Sequence, residues 1–309
     1  MKWLFCLVLA LSCIFSFAQD DSTDLVALSK MTVLSEVVIR SDLNTIRLLR
    51  RIKEDTTFYK AFRTLHIIGF TSINDIKMLD KNGNIEASLY SKTRQNRSNG
   101  CRTMDVMEQR TTGDMYKRGK LNYFTAQLYS GLFFTNGKVC GENNNVAGIE
   151  RNVRDKSGLE KHKEQLKMMF FNPGKKIPGI PFIGDKLDIF DTDNRQYYNF
   201  SVDMGEMNGQ NCYIFKITRR EDLSSSEKDH VVFDDITTWF NQKTMEIVGR
   251  TYDLSYDTPV YDFDVHMEVE MNRFHGMLVP QVLRYKGNWK VAFKKRERAI
   301  FTATLSDFR

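Results

Sequence analysis

Residues 261–271 read YDFDVHMEVEM, and apolar side chains alternate in this stretch with acidic residues and one histidine. A period of two places the apolar side chains on one face of a strand and the polar ones on the other. Less regular versions of the pattern occupy residues 245–256, 279–285 and 289–305, with turn-forming sequences at 241–243, 257–259, 275–276 and 287–288. The C-terminal quarter, residues 231–308, is therefore predicted to be an antiparallel meander whose apolar face is covered by upstream residues.

Two upstream regions also have the signature of strands joined by tight turns. The turn sequences DKNG at 80–83 and NG at 99–100 separate three β-rich stretches, which we expect to pair with one another. Residues 198–202 and 213–217 alternate around Asn208-Gly209, which predicts a further hairpin.

Three stretches have helical signals. Ser41-Asp42 offers an N-cap for an amphipathic helix that begins at Leu43 and continues toward Leu65; its basic face is interpreted as solvated, with contact to anionic lipid as the alternative. The aromatic-rich residues 121–134 predict a buried helix, and SGLE at 157–160 has the form of a capping box before a helix that ends at residues 172–174. The predicted fold class is α+β, a large curved antiparallel sheet covered on one face by two or three helices.

Residues 1–18 have the features of a secretory signal peptide, with Lys2, an apolar run and SFA before an acidic segment. We expect cleavage after Ala18, a single domain at residues 19–309, and a periplasmic or secreted location. A lipobox ending at Cys13 is the alternative, and Ala10 fits it poorly. No later stretch reaches about 18 uninterrupted apolar residues, so the mature chain is not expected to span a membrane.

Three cysteines follow the predicted cleavage point: Cys101, Cys140 and Cys212. An exported chain favours disulfide formation, and Cys101 and Cys140 each lie beside turn-forming residues. We predict a bridge between these two, with Cys212 free. Three buried thiols are the alternative.

The segment IPGIPFIG at 177–184 is strongly apolar, yet its prolines and glycines exclude a helix or a regular strand. Such a segment needs burial. Ile177, Ile180, Phe182 and Ile183 are therefore candidates for a lid over a ligand.

The sequence contains no familiar catalytic motif. Its five histidines are scattered, and there is no glycine-rich phosphate loop, so we predict no catalytic group, no cofactor and no metal site. A hydrolase that uses His266 with Asp264 and Glu268 on one strand face is the alternative. The formal net charge of +6 is mild for 309 residues and predicts no nucleic-acid partner.

Several runs carry a family resemblance. The runs DTTFYKAF (55–62), NDI (74–76), CRTM (101–104), FFTNGKVCG (133–141) and KKRE (294–297) resemble a family of uncharacterised secreted proteins of the Bacteroidota, over nearly the whole mature chain. More loosely, WFNQKT (239–244) followed by VGR (248–250) resembles a hairpin of LolA-like periplasmic lipoprotein carriers, with Asn241 where that family has an acidic residue. The second resemblance implies a half-barrel sheet wrapped over helices, with an apolar cavity between them.

These patterns give two hypotheses about function. The first is a non-enzymatic exported protein that binds an apolar ligand (an acyl chain, a lipoprotein or an apolar peptide) between the sheet and the helices. The alternative is a cell-envelope scaffold or assembly factor that contacts an outer-membrane protein through a sheet edge or the 177–184 segment. The alternative predicts a packed interior.

Overall fold

Alternating sequence stretches form the strands of one large sheet in the computed structural model, which describes residues 16–39, 41, 43–146, 158–177, 180, 183–257, 261–291 and 295–309. The strands within these residues are β1 (Thr32–Leu34), β2 (Phe70–Leu79), β3 (Ile85–Ser98), β4 (Cys101–Thr112), β5 (Tyr116–Lys117), β6 (Lys120–Leu121), β7 (Val139–Cys140), β8 (Tyr198–Met207), β9 (Gln210–Arg219), β10 (Phe233–Asn241), β11 (Ile247–Asp257), β12 (Tyr261–Phe274), β13 (Met277–Val291) and β14 (Glu297–Ser306). The helices are α1 (Ser16–Met31), α2 (Glu36–Ile39), α3 (Thr45–Lys53), α4 (Thr57–Thr64), α5 (Phe124–Phe133), α6 (Gly158–Phe171) and α7 (Ser225–Lys228), with a 3-10 turn at Arg195–Tyr197.

The main sheet contains every described strand except β5 and β6, which pair only with each other. Its order is β1-β8-β9-β10-β11-β12-β13-β14-β2-β3-β4-β7. Strands β1 and β8 are parallel, and all the other neighbours are antiparallel. The sheet is open, with the short strands β1 and β7 at its two edges. A large, mostly antiparallel sheet is thus confirmed.

The predicted turns explain how the strands are joined. Asn99-Gly100, Asn208-Gly209 and His275-Gly276 all have positive φ, between 47° and 77°, as two-residue hairpin turns require. In the turn at residues 80–83, the Asp80 carboxylate accepts hydrogen bonds from the backbone N–H groups of Asn82 (2.8 Å) and Asn84 (2.9 Å). The turn predicted at residues 257–259 lies largely outside the described residues.

The break predicted at Gly287-Asn288 is wrong, because β13 continues through these residues to Val291. Gly287 pairs with Val265 on one side and with Ala299 on the other. The Tyr285 ring, on the same face two residues earlier, covers Gly287, and a Cβ at 287 would clash with its hydroxyl oxygen. The glycine here makes room for a ring and does not form a turn.

We therefore expect Gly287→Val to lower the free energy of unfolding by about 2 kcal/mol, because the added side chain displaces the Tyr285 ring from a packed core. Urea denaturation checks this value. The matched control is Gly131→Ala in α5, where a Cβ would meet only the Lys167 side chain at 3.7 Å. An unchanged midpoint for Gly287→Val would contradict the packing argument.

The amphipathic helix predicted from Leu43 is confirmed as α3, but its continuation toward Leu65 is wrong, because a second helix, α4, begins at Thr57. Asn44 caps α3 through its Oδ1, which accepts the Arg47 N–H at 2.9 Å; Asp42, part of the predicted cap, lies outside the described residues. Asp55 causes the division, since its carboxylate accepts the backbone N–H (3.2 Å) and the hydroxyl (2.6 Å) of Thr57 and so starts a new helix. The predicted helices at 121–134 and after 157 are confirmed as α5 and α6.

Aromatic contacts join the helices to the sheet. Tyr129 of α5 packs against Phe301 of β14 with ring centroids 4.8 Å apart, and Phe170 of α6 lies 6.1 Å from Tyr285 of β13. Helix α4 packs against β13. The core therefore lies between these helices and the apolar sides of β11 to β14. No helix among the described residues combines the length and apolarity needed to cross a membrane.

Candidate functional site

An irregular apolar segment covers part of the sheet. We call it the cover segment and define it as residues 172–177, 180 and 183–190. Ile177, Ile180 and Ile183 are all buried, whereas Phe182 lies outside the described residues. At the far end of the cover segment, the ring centroid of Phe190 lies 6.2 Å from that of Phe200 in β8. Three of the four lid candidates are thus within the protein interior, as their apolar character requires.

Turn-like backbone hydrogen bonds hold the described part of the cover segment together. Gly184 accepts from the Ile177 N–H and donates to the Ile180 carbonyl, both at 3.3 Å. On its sheet side, the Lys186 ammonium donates to the Tyr256 hydroxyl and to the Asp229 carbonyl, both at 2.6 Å. The described part of the segment is therefore held by apolar burial and by local turns, without pairing to a neighbouring strand, which is typical of regions that open locally.

A small cavity lies where the cover segment leaves α6. Its volume is about 20 Å³, and its apolar wall includes Phe215, Ile217 and Ile236, which we call the apolar floor. Arg250 of β11 and Lys175 of the cover segment also line it. Arg250 is only 8% exposed, its Nε donates to Thr238 Oγ1 at 2.9 Å, and its guanidinium lies 4.4 Å from the Phe58 ring centroid. Two cationic side chains and the Asp55 carboxylate thus border one small, partly apolar cavity.

A second polar cluster lies near the sheet edge that β4 and β7 form. Arg102 of β4 contacts Glu142 twice (Nε to Oε2 at 2.5 Å, Nη2 to Oε1 at 3.1 Å), and its Nη1 donates to Thr135 Oγ1 at 2.7 Å. His66 Nδ1 lies 3.1 Å from Glu142 Oε1. His66, Arg102 and Glu142 border a cleft of about 260 Å³.

The charges in this cluster are set by burial and hydrogen bonding. Burial alone would raise the pKa of Glu142, but the hydrogen bonds from His66 and Arg102 outweigh it and lower the pKa to about 2. Burial is also the main cause that lowers the pKa of His66 below its ordinary value. Near neutral pH the cluster therefore contains a carboxylate, a guanidinium and a neutral imidazole that donates from Nδ1.

The cysteines lie beside this cluster. Cys101 and Cys140 form a disulfide that links β4 to β7, next to Arg102 and Glu142 in the chain. Cys212 is a free, buried thiol, and burial raises its pKa. Its reactivity as a nucleophile is correspondingly low.

His266 lies on the other face of the sheet. Its Nδ1 is 2.7 Å from Asp253 Oδ1, and its Nε2 is 3.2 Å from Glu268 Oε1. The structure thus brings Glu268 to the imidazole but places Asp253, from β11, where the sequence suggested Asp264. Among the described residues, no group of three or more His, Cys, Asp or Glu side chains has an arrangement that could hold a metal ion. Arg284 of β13 bonds Glu268 (3.2 Å) and Glu270 (2.6 Å), so these acidic residues also fix strand register.

One sheet edge is exposed over most of its length. Within the described residues, strand β7 pairs with Cys101 and Arg102 of β4, and residues 103–112 of β4 have β3 as their single neighbouring strand. Val106 and Met107 on this edge are 58% and 49% exposed. Unpaired N–H and C=O groups beside exposed apolar side chains can accept an additional strand.

Sequence reasoning missed Arg250 and Lys175, although a signal for Arg250 was present. Val248, Arg250, Tyr252, Leu254 and Tyr256 share one phase of the period-two pattern in β11, and all five are buried. A cation in an apolar phase indicates a buried charge with a specific role. Lys175 has no comparable signal.

These features define the class of the protein: an open, mostly antiparallel sheet covered by helices and by an irregular apolar segment, with the buried cation Arg250 beneath that segment. No protein-family model matches the sequence, and no curated protein matches it.

Three solved structures share a weak likeness with the chain. One is a DUF1329 family protein from Desulfovibrio piger (11% identity, 85% of this chain and 89% of that chain, TM-score 0.26). Another is an outer membrane lipoprotein-sorting protein domain from Vibrio parahaemolyticus (8% identity, 81% and 90% covered, TM-score 0.24). The third is lipovitellin, from a study of lipid–protein interactions (7% identity, 78% and 25% covered, TM-score 0.24). TM-scores this low assign neither a fold family nor a function to this chain.

Proposed function

We propose that this protein is a non-enzymatic protein of the cell envelope that binds an apolar ligand on the sheet face beneath the cover segment. The ligand class is an acyl chain, free or attached to a lipoprotein, or an apolar peptide. The observation that carries the proposal is the cover segment itself, an irregular chain whose buried apolar side chains fill the space over the sheet.

Completing a hydrophobic core with an irregular segment costs more free energy than completing it with a helix or a strand. A helix or strand satisfies its own backbone groups, whereas a buried irregular segment leaves more of them to be paired individually. The segment buries the apolar side chains Ile177, Ile180, Ile183, Leu187, Ile189 and Phe190, and its described backbone hydrogen bonds are those of turns. Opening such a segment costs less free energy than unfolding the sheet, and it exposes the apolar floor.

The cavities bordered by described residues are each small for an acyl chain. The cavities described above and a third one beside α4 have volumes of about 20, 260 and 200 Å³, and ligand pockets usually measure roughly 300 to 1,000 Å³. In the proposed mode of binding, an apolar ligand therefore takes the place of the cover segment. Binding is then gated by opening of this segment.

The hairpin from β10 to β11 gives separate support for a LolA-like half-barrel. The run 239–250, which carries the resemblance, forms this hairpin, with Trp239 opposite Gly249 and Thr238 opposite Arg250. The half-barrel is thus part of the same proposal, as is an exported location that brings the protein to lipids and lipoproteins.

Gly184→Ala tests the gating role of the cover segment. A Cβ at 184 would lie 2.6 Å from the Ile177 carbonyl oxygen, so the closed segment cannot keep its conformation. We expect a fluorescent fatty-acid probe to associate about tenfold faster, which corresponds to about 1.4 kcal/mol less favourable closure. Stopped-flow fluorescence measures the rate.

Gly131→Ala is the control, because its added methyl group leaves the cover segment untouched. Equal association rates for the two variants would contradict gating. Failure to bind any apolar probe, together with no lipid in an organic extract of the purified protein, would contradict the proposed function itself.

The free edge of β4 favours a second candidate, a scaffold that binds an extended strand of an outer-membrane protein. A photo-crosslinking residue at Val106 is expected to capture such a partner in cells, whereas one at Lys228, on the exposed helix α7, is not. Recovery of the bait alone from both positions would count against this candidate.

A further inference from the structure

Arg250 occupies an unusual place beneath the cover segment. Its neighbours around the small cavity include the apolar floor, Ile52 and Phe190. A guanidinium is normally left in water or paired fully with acceptors, because removing its charge from water costs free energy. The chain nevertheless holds Arg250 at an inward position of β11.

The described residues provide hydrogen-bond acceptors for only some of the donors of the Arg250 guanidinium. Arg250 has five N–H donors, of which Nε donates to Thr238. In the described part of the chain, its nitrogens form no ion pair. Asp55 is the carboxylate that acts on Arg250 electrostatically, but its oxygens are bonded to Thr57 and to the Phe58 N–H at the start of α4. Asp55 also lines the cavity, so its carboxylate caps α4 and offsets one of the two positive charges, which leaves one positive charge for a ligand.

Lys175 brings a second positive charge to the same cavity. Its Nζ lies 5.7 Å from the Phe190 ring centroid, and the ranges covered by the structure show no ion pair for it. Burial lowers the pKa of Lys175, and attraction to Asp55 and Asp188 partly offsets this effect. Because Lys175 belongs to the cover segment, this cation moves when the segment opens.

We propose that Arg250 and Lys175 bind the anionic head group of a long-chain carboxylate, whose hydrocarbon chain lies along the apolar floor. This inference rests on the proposed function and names the ligand class of that site. The planar guanidinium matches a carboxylate in a bidentate arrangement, and Lys175 contributes a point charge from the cover segment.

The size of the cavity agrees with this assignment. A space of about 20 Å³ accommodates one water-sized group, so a small carboxylate needs less rearrangement than a phosphate head group. The chain of the ligand would then replace the buried side chains of the cover segment. One end of the ligand is thus fixed by charge, and the remainder is held by apolar contact.

The test compares two ligands of equal chain length, laurate and dodecanol, by competition with a neutral fluorescent probe on the full chain. We expect laurate to bind at least about tenfold more tightly than dodecanol, in line with charge-assisted hydrogen bonds. Arg250→Met and Lys175→Met should each reduce laurate affinity, with Arg250→Met removing most of the preference, and should leave dodecanol affinity unchanged.

Two variants show whether a change in ligand affinity has a structural cause other than loss of the head-group contact. Arg284→Met removes an arginine that bonds Glu268 and Glu270 on the other face, and it should change neither affinity. Lys175→Met lies on the cover segment, so it keeps the test valid if Arg250→Met does not fold. Circular dichroism checks folding of each variant.

The outcomes separate the two proposals. Equal affinity for laurate and dodecanol, or a laurate preference that survives in the folded variants, overturns the head-group assignment and leaves apolar ligand binding intact. Binding of neither ligand by the wild-type protein overturns both.

Discussion

Cys140→Ser is expected to lower the free energy of unfolding by about 2 to 4 kcal/mol. The Cys101–Cys140 bridge spans 39 residues of sequence, and this loop contains α5. Cross-linking a loop of this length restricts the unfolded chain, which raises its free energy relative to the folded state. The bridge also fixes β7, which has only two residues paired with β4, at the edge of the sheet.

Urea denaturation of the oxidised wild-type protein and of Cys140→Ser measures the difference in their free energies of unfolding. Cys101→Ser should lose the same amount, and the double variant should lose no more, because all three changes remove one bond. Reduced wild-type protein is the matched control. Thiol labelling of Cys101 and Cys140 in the native protein without reductant would show that the bridge does not form.

Local chemistry made much of the sheet predictable. Asn99-Gly100, Asn208-Gly209 and His275-Gly276 adopt positive φ at low cost, so each marks a hairpin from sequence alone. The period-two pattern of β12 similarly identified its buried face. Such signals depend on residues close in sequence, and they therefore survive without knowledge of the tertiary structure.

The sequence predictions were wrong where the structure depends on a contact that the local sequence pattern does not indicate. Gly287 resembles a turn residue but is covered by the Tyr285 ring within a continuous strand. Asp55 resembles one more polar residue on a helix surface, yet its carboxylate starts α4. The parallel pairing of β1 with β8 joins segments more than 160 residues apart and has no local signature.

The candidate site was predictable in part. The apolar 177–184 segment indicated burial because its prolines and glycines exclude regular structure. The cationic cavity beneath the segment was not predicted, because it forms only when β11 and the cover segment meet. Arg250 supplies a sequence signal for half of this site, and Lys175 enters through the fold alone.

Arg102→Met is expected to lower the free energy of unfolding by about 3 kcal/mol, the lower end of the range for breaking a buried ion pair. The Arg102 side chain is 10% exposed and that of Glu142 is 22% exposed, so the remaining carboxylate loses its partner in a mostly dry setting. Thr135 and Gln95 lose a donor as well. Adding Glu142→Gln should restore part of the loss, because the uncompensated charge is then removed.

The pH dependence of this loss tests its electrostatic origin. In the folded wild-type protein the pKa of Glu142 is lowered from 4.5 to about 2, so the stabilisation from its carboxylate is complete above pH 4.5 and is lost as the pH falls through about 2. The lowered pKa of His66 acts in the same direction, since the unfolded chain binds a proton at His66 more readily below pH 6.5. Without Arg102, burial raises the pKa of Glu142, and acid then neutralises the unpaired carboxylate. The stability difference between wild type and Arg102→Met should therefore be smaller at pH 3 than at pH 7 in urea titrations, whereas a difference that does not change with pH would assign the loss to packing of the arginine side chain.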